Sequence, residues 1–239
     1  MPPNNCFRFK QFTINQENCA MKIGTDSILL GAWANCYNNS YILDIGTGTG
    51  ILALMLAQKN NKNIFAIDID ESAVNQAKEN ISNSPWSSEI KVFHSPLQEY
   101  KPQIENINYI ITNPPYFSKS LKSPLENRTT ARHTYSLTHK NIIEFCKNYL
   151  SVKGKFAIVL PVADGENFIK QSAKINLFCL RKCFVKPNPA KNPHRLLLEF
   201  SSSKQITQES EIVIENGTRH HYTDEYKKLT KEFYLDFRW

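Results

Sequence analysis

Asn113-Pro114-Pro115-Tyr116 is the segment of this chain best suited to chemistry on a planar nitrogen. The Asn113 side-chain oxygen and the Pro114 carbonyl are two acceptors close together, and the two prolines hold the backbone rigid and leave carbonyls without intrahelical partners. An exocyclic amino group on a base offers two N–H donors, while its lone pair is conjugated with the ring. Engaging both donors draws the nitrogen towards tetrahedral geometry and frees the lone pair for attack. Positioning and charge stabilisation then supply the acceleration, with no covalent nucleophile required. Tyr116 adds a ring face on which the base can stack. An isolated match of this kind can be a simple turn, so its meaning depends on what precedes it.

Upstream lies Leu43-Asp44-Ile45-Gly46-Thr47-Gly48-Thr49-Gly50, where a strand must turn sharply into a helix. Glycines let the backbone adopt unusual angles and approach a ligand closely. Dinucleotide folds space them as G-x-G-x-x-G. Here they fall at 46, 48 and 50, with Ile51 next, which suits the smaller methionine part of S-adenosylmethionine better than a pyrophosphate. The carboxylate of Asp44 would then sit near the cofactor's ammonium group. Asp68, ending the second core strand, is placed to accept from both ribose hydroxyls. Asp70 is the alternative acceptor, although its position suits a helix cap.

Short apolar runs alternate with helical patterns, which argues for βαβ units and a parallel sheet. Strands are expected at 41–45, 63–67, 90–93, 109–112 and 155–160, with helices at 51–58, from about 71, at 141–150 and at 164–175. Two late strands, 178–185 and 195–200, are joined by a loop too short for a crossover helix and should pair antiparallel. The stretch 118–138 lacks periodicity, 201–210 reads as a polar surface connector, and a final helix is expected near 224–233. The expected fold is α/β, a Rossmann-like class I methyltransferase arrangement. It has a mostly parallel seven-stranded sheet, one antiparallel late strand and helices on both faces. We expect one domain over 1–239: a leader and helix to 39, a core from 40 to 201, and a C-terminal extension.

The 239 residues are 41% hydrophobic and 21% charged, with a formal charge of +7. That balance needs neither disulfides nor metal to hold a core, and it is compatible with a polyanionic partner. The six cysteines form no CxxC pair and match no zinc spacing, so no metal site is expected. No apolar run approaches the roughly 20 residues of a membrane span. The first residues lack the order of a secretory signal, which leads us to expect a cytoplasmic protein with reduced, mostly buried cysteines.

Two further segments carry a resemblance. Lys22-Ile-Gly-Thr-Asp-Ser-Ile-Leu-Leu-Gly-Ala-Trp33 and His221-Tyr-Thr-Asp-Glu-Tyr-Lys-Lys-Leu-Thr-Lys-Glu-Phe-Tyr234 are similar to the leader and closing helix of the bacterial methyltransferases that make N6-methyladenine in valine tRNA. Ala131-Arg132-His133 and Pro193-His194-Arg195 also fit that pattern. The resemblance covers nearly the whole chain, and it implies methyl transfer from S-adenosylmethionine to the adenine beside the anticodon, position 37. Carried over by position, it implies that Lys22 and Thr25 meet the methionine end of the cofactor. Asp44, Gly46 and Gly48 would line its middle, Asp68 would hold its ribose, and Asn113, Pro114, Pro115 and Tyr116 would form the catalytic loop. Many related enzymes place an acid after the third core strand to bind the cofactor's adenine. Here the segment is His94-Ser95-Pro96-Leu97-Gln98, so backbone groups around Leu97 or the Gln98 amide would substitute.

Lys119, Lys122, Arg128, Arg132 and Lys140 follow the catalytic loop, and Lys174, Arg181, Lys182, Lys186, Lys191 and Arg195 gather around the late hairpin. Each alone would be an ordinary surface charge. Together they are expected near the chemistry, gripping phosphates beside a splayed-out base of tRNA. The chain is expected to act as a monomer. A glutamine N5-methyltransferase of a translation factor is the rival enzyme. Such enzymes carry a helical domain ahead of the sheet, and about 40 residues leave no room for one. An inactive RNA-binding module is the rival from another class, and intact Asn113, Asp68 and glycine turn argue against it.

Overall fold

The computed structural model describes residues 5–19, 21–37, 41–103, 106–115 and 137–235. The leader forms an antiparallel hairpin, β1 (Cys6–Arg8) and β2 (Thr13–Asn15), which the sequence reading did not anticipate. Phe9, Phe12 and Ile14 anchor it in the core. Helix α1 (Thr25–Trp33) follows, then β3 (Ile42–Ile45), α2 (Ile51–Gln58), β4 (Ile64–Asp68), α3 (Glu71–Ser82), β5 (Ile90–His94) and β6 (Ile107–Thr112). Beyond residue 136 come α4 (His139–Tyr149), β7 (Leu150–Pro161), α5 (Val162–Ala173), β8 (Phe178–Lys186), β9 (Arg195–Ser201), β10 (Gln208–Val213) and α6 (Asp224–Thr230).

The large sheet has the order β10-β8-β9-β7-β6-β3-β4-β5. Only β9 runs against its neighbours, pairing antiparallel with both β7 and β8. The expected class and the single antiparallel late strand therefore hold, but the sheet has eight strands where seven were expected. The extra strand is β10, which begins within the stretch read as a connector and runs past its end. It escapes a pattern reading because its first four residues are exposed and polar. A polar edge strand of this kind discourages pairing with other chains.

Helices cover both faces, so the central strands are buried on both sides and read as unbroken apolar runs. Along β6 and β7, Tyr109, Ile111, Ala157 and Val159 enter one core with α1, α2 and the tail. Ile110, Phe156, Ile158 and Leu160 enter the other core with α4 and α5. Caps fix several helix starts: Asp70 accepts from the Ser72 backbone N–H, and Thr138 and Asn141 form a reciprocal capping box on α4. All six cysteines are free and five are buried. Among the described residues, no helix is long and apolar enough to cross a membrane.

Candidate active site

The chain leaves β3 for β4 and β5 on one side, then returns to place β6 against the other side of β3. This reversal opens a crevice at the carboxyl ends of β3 and β6, where α/β sheets bind ligands. The buried Thr112 hydroxyl donates to the Ile45 carbonyl at 2.8 Å, locking the two strand ends together. The Gly46 turn after β3 and the Asn113 loop after β6 are thus neighbours.

A cleft of about 760 Å³ opens there, with Gly46, Gly48, Asp68, Leu97, Asn113 and Pro115 in its wall. Gly46 and Gly48 adopt φ of +68° and +55°, a conformation that side chains disfavour. An added Cβ at either would meet nothing within 4 Å, so backbone geometry requires these glycines while space remains open in front of them. The turn is braced from behind by Asn80 of α3, which donates to the Thr49 carbonyl at 2.9 Å and to the Asn15 carbonyl at 2.8 Å.

Asp44 is fully buried behind this turn. Its Oδ2 accepts from the Thr47 hydroxyl at 2.6 Å, while Oδ1 has no hydrogen-bond partner. Burial pushes the carboxyl up to about 7; the Thr47 hydroxyl opposes that shift and the Asp68 charge adds to it. A buried carboxylate oxygen without a partner is costly unless a cation or donor arrives. Asp68 ends β4 with Oδ2 accepting from the Gly48 N–H at 2.8 Å and Oδ1 from the Asp70 N–H at 2.9 Å. Those two bonds aim the carboxylate and leave each oxygen a further lone pair for a hydroxyl. Burial raises its pKa, and the Asp70 and Gly48 N–H groups pull it back. Asp68 lines the cleft, where it suits the ribose diol of S-adenosylmethionine, whereas Asp44 lies behind the cleft wall and does not line it.

Asn113 is half-buried on the cleft wall, and its Nδ2 donates to Ser27 Oγ at 2.7 Å. Pro114 is buried behind it and Pro115 is exposed towards the cleft. Tyr116, Lys119, Lys122, Arg128 and Arg132 lie outside the described residues. Lys22 lines the cleft, as do Leu97 and Gln98, but Thr25 is exposed outside its wall and Ser27 takes the position facing Asn113. The reason is helical spacing: Thr25 and Ser27 are two residues apart in the first turn of α1, so they point in different directions.

The basic residues of the late hairpin are placed differently from the expectation. Arg195 pairs with Asp26 at 2.8 Å, Lys182 with Glu166 and Glu209 at 2.8 and 3.2 Å, Lys186 with Glu211 at 2.9 Å, and Arg181 with Glu199 at 3.5 Å. Lys174 follows α5 and precedes β8, which puts it at the amino edge of the sheet, away from Asn113. Lys191 alone of this group is exposed on the loop at the catalytic edge. Sequence reasoning also missed Ser27, Gln76 and Asn80. The last two carried a legible signal: they are polar residues on the same face of α3 as Ala73, Ala77 and Ile81, which the fold buries.

The chain matches the family model "Methyltransferase small domain" over residues 21–170. A Bacteroides fragilis protein named tRNA1(Val) (adenine(37)-N6)-methyltransferase is 43% identical, over 96% of this chain and 97% of its own. Proteins of the same name from Histophilus somni and Trichodesmium erythraeum are each 42% identical, over 97% and 98% of this chain and 98% and 99% of theirs. Among solved structures, a predicted O-methyltransferase from Agrobacterium tumefaciens superposes with a TM-score of 0.68 at 14% identity, covering 87% of this chain and 96% of its own. M. capricolum TrmK, solved with S-adenosyl-homocysteine, gives 0.54 at 19% identity over 79% of this chain and 72% of its own. These last two show the fold of S-adenosylmethionine-dependent methyltransferases. With a sequence match of this extent on top of an acid pair and an Asn-Pro-Pro loop at one switch point, the chain belongs to the tRNA1(Val) (adenine(37)-N6)-methyltransferase family.

Proposed function

We propose that this enzyme transfers the methyl group of S-adenosylmethionine to N6 of adenine 37 in valine tRNA. The observation that carries the reading is Asn113 on the wall of the same cleft as Asp68 and the glycine turn. Asp44 would pair the cofactor's ammonium group, Asp68 its ribose hydroxyls, and Leu97 would flank its base. When bound, the cofactor supplies an electrophilic methyl group on a sulfonium. Asn113 Oδ1 and the Pro114 carbonyl accept the two N6–H bonds of the extruded adenine, which localises the nitrogen lone pair and aims it into the cleft. Tyr116 stacks on the base. Lys119, Lys122, Arg128 and Arg132 grip flanking phosphates, joined by Lys191 on the hairpin loop. Arg195, committed to Asp26, orders the protein around the site instead. The whole chain acts as one cytoplasmic methyltransferase domain, as a monomer.

Asn113→Ala tests this directly. Its oxygen matters most as the nitrogen pyramidalises, so single-turnover methyl transfer at saturating tRNA should fall about 10²–10³-fold. Cofactor affinity, measured by calorimetry, should stay within about threefold. A variant with near-normal turnover would remove Asn113 from the chemistry, and one that lost cofactor binding would make it a cofactor ligand.

A further inference from the structure

Asn113 can assist an amino group only if its carboxamide presents oxygen, since the amide nitrogen has no acceptor to offer. The two ends of a carboxamide are nearly the same in shape, so packing alone chooses poorly between them. The hydrogen bond from Asn113 Nδ2 to Ser27 Oγ ties down the nitrogen end at 2.7 Å. Ser27 is 8% exposed and sits in the first turn of α1, with its neighbour Asp26 in the ion pair to Arg195 Nε. Arg195 begins β9, and its Nη1 also donates to the His194 carbonyl at 3.1 Å. The first turn of α1 is therefore fastened to the sheet on one side and to the catalytic loop on the other. Both links are partly buried, which makes them stronger and less screened than surface contacts.

We propose that Ser27 is a positioning residue for the reaction: it holds the amide nitrogen of Asn113 so that Oδ1 meets the N6–H of adenine, and the Asp26–Arg195 pair holds the turn that carries Ser27. This rests on the reading of Asn113 given above. Ser27 touches neither reacting atom, and its effect passes through the orientation of one side chain. It should therefore appear in the rate of the chemical step and not in cofactor binding.

The experiment is single-turnover methyl transfer to tRNA with both substrates saturating, beside calorimetric cofactor affinity. Ser27→Ala should slow transfer about tenfold or more while cofactor affinity stays within about twofold. Ser27→Thr, which keeps the hydroxyl, should remain within about threefold of the unmodified rate. Arg195→Gln should slow transfer less, and adding it to Ser27→Ala should give almost no further loss, because both act through Asn113. An active enzyme whose rate is unaffected by Ser27→Ala overturns the inference alone. So does a Ser27→Ala variant whose cofactor affinity falls as much as its rate, since Ser27 would then serve the cofactor wall. An unmodified protein that transfers no methyl group to tRNA overturns the function and the inference together.

Discussion

Asp44 and Glu199 are two buried carboxylates on one line across the sheet, and the fold treats them oppositely. Asp44 is paired in register with Ile111, Ile111 with Ala157, and Ala157 with Glu199. Both acids are 0% exposed. Each has one oxygen without a hydrogen-bond partner, but Glu199 is compensated by charge from within: the Tyr109 hydroxyl donates to its Oε2 at 2.8 Å, and the cations of Lys155 and Arg181 stand 3.5 Å from its Oε1. Arg181 is itself stacked 3.9 Å from the Trp33 ring at the end of α1. Asp44 has the Thr47 hydroxyl, the Ala53 backbone N–H and, beside it, another acid, with no cation among the causes of its shift. A buried charge is tolerated where partners and hydrogen bonds offset its desolvation. Glu199 has charged partners in the chain, whereas Asp44 has none. On the function proposed above, the first is a structural acid and the second a binding acid.

Breaking the structural acid should give the larger effect. Glu199→Gln leaves Arg181 and Lys155 facing a neutral group, and unfolding free energy from denaturant titration should drop by about 3 kcal/mol. Cofactor affinity of the folded fraction should not change. If this variant is as stable as the parent, the cluster is not compensating Glu199 and the contrast collapses.

Asp44→Asn should do the reverse. Stability should hold or rise slightly, because a costly buried carboxylate is gone, while cofactor affinity falls about ten- to hundredfold. Calorimetry that finds unchanged affinity, with lost stability, would make Asp44 a second structural acid.

The smallest effect sharpens the comparison through pH. Asp44 keeps its proton to about pH 7 in the fold, whereas in the unfolded chain it ionises near 4. Its contribution to stability is thus fully present below about pH 4 and is lost as pH rises from there through 7. Binding an ammonium group selects the ionised form, so cofactor affinity should climb about tenfold from pH 6 to pH 8, about half of that factor by pH 7, and flatten above. Asp44→Asn should abolish that slope. A slope that survives the substitution belongs to another group.

Much of the site could be read before the fold was known, because it is local. Gly46 and Gly48 are dictated by a sharp turn after β3. Asp68 and Asn113 each follow an apolar run that could only be a buried strand, and strand ends at a switch point are where ligands bind. The late hairpin was legible from loop length alone. β10 was not, since Glu209 and Glu211 look like solvated loop residues until Lys182 and Lys186 of β8 are placed beside them. In the same way, five basic residues read as candidates for RNA contact (Lys140, Arg181, Lys182, Lys186 and Arg195) prove to be engaged with acids of the same chain.

The sequence by itself determined the alternation of strands and helices, the glycine turn and the rigid Asn-Pro-Pro loop after β6. Each of these follows from neighbours in the chain: apolar period, backbone freedom and the fixed φ of proline. Only the tertiary structure decided which charges are free and how Asn113 is aimed. Ser27 lies 86 residues from Asn113, and Asp26 lies 169 from Arg195. Nothing in either segment specifies its partner. That choice depends on sheet register and on which face of α1 turns inward, and both are set by burial summed over the whole core.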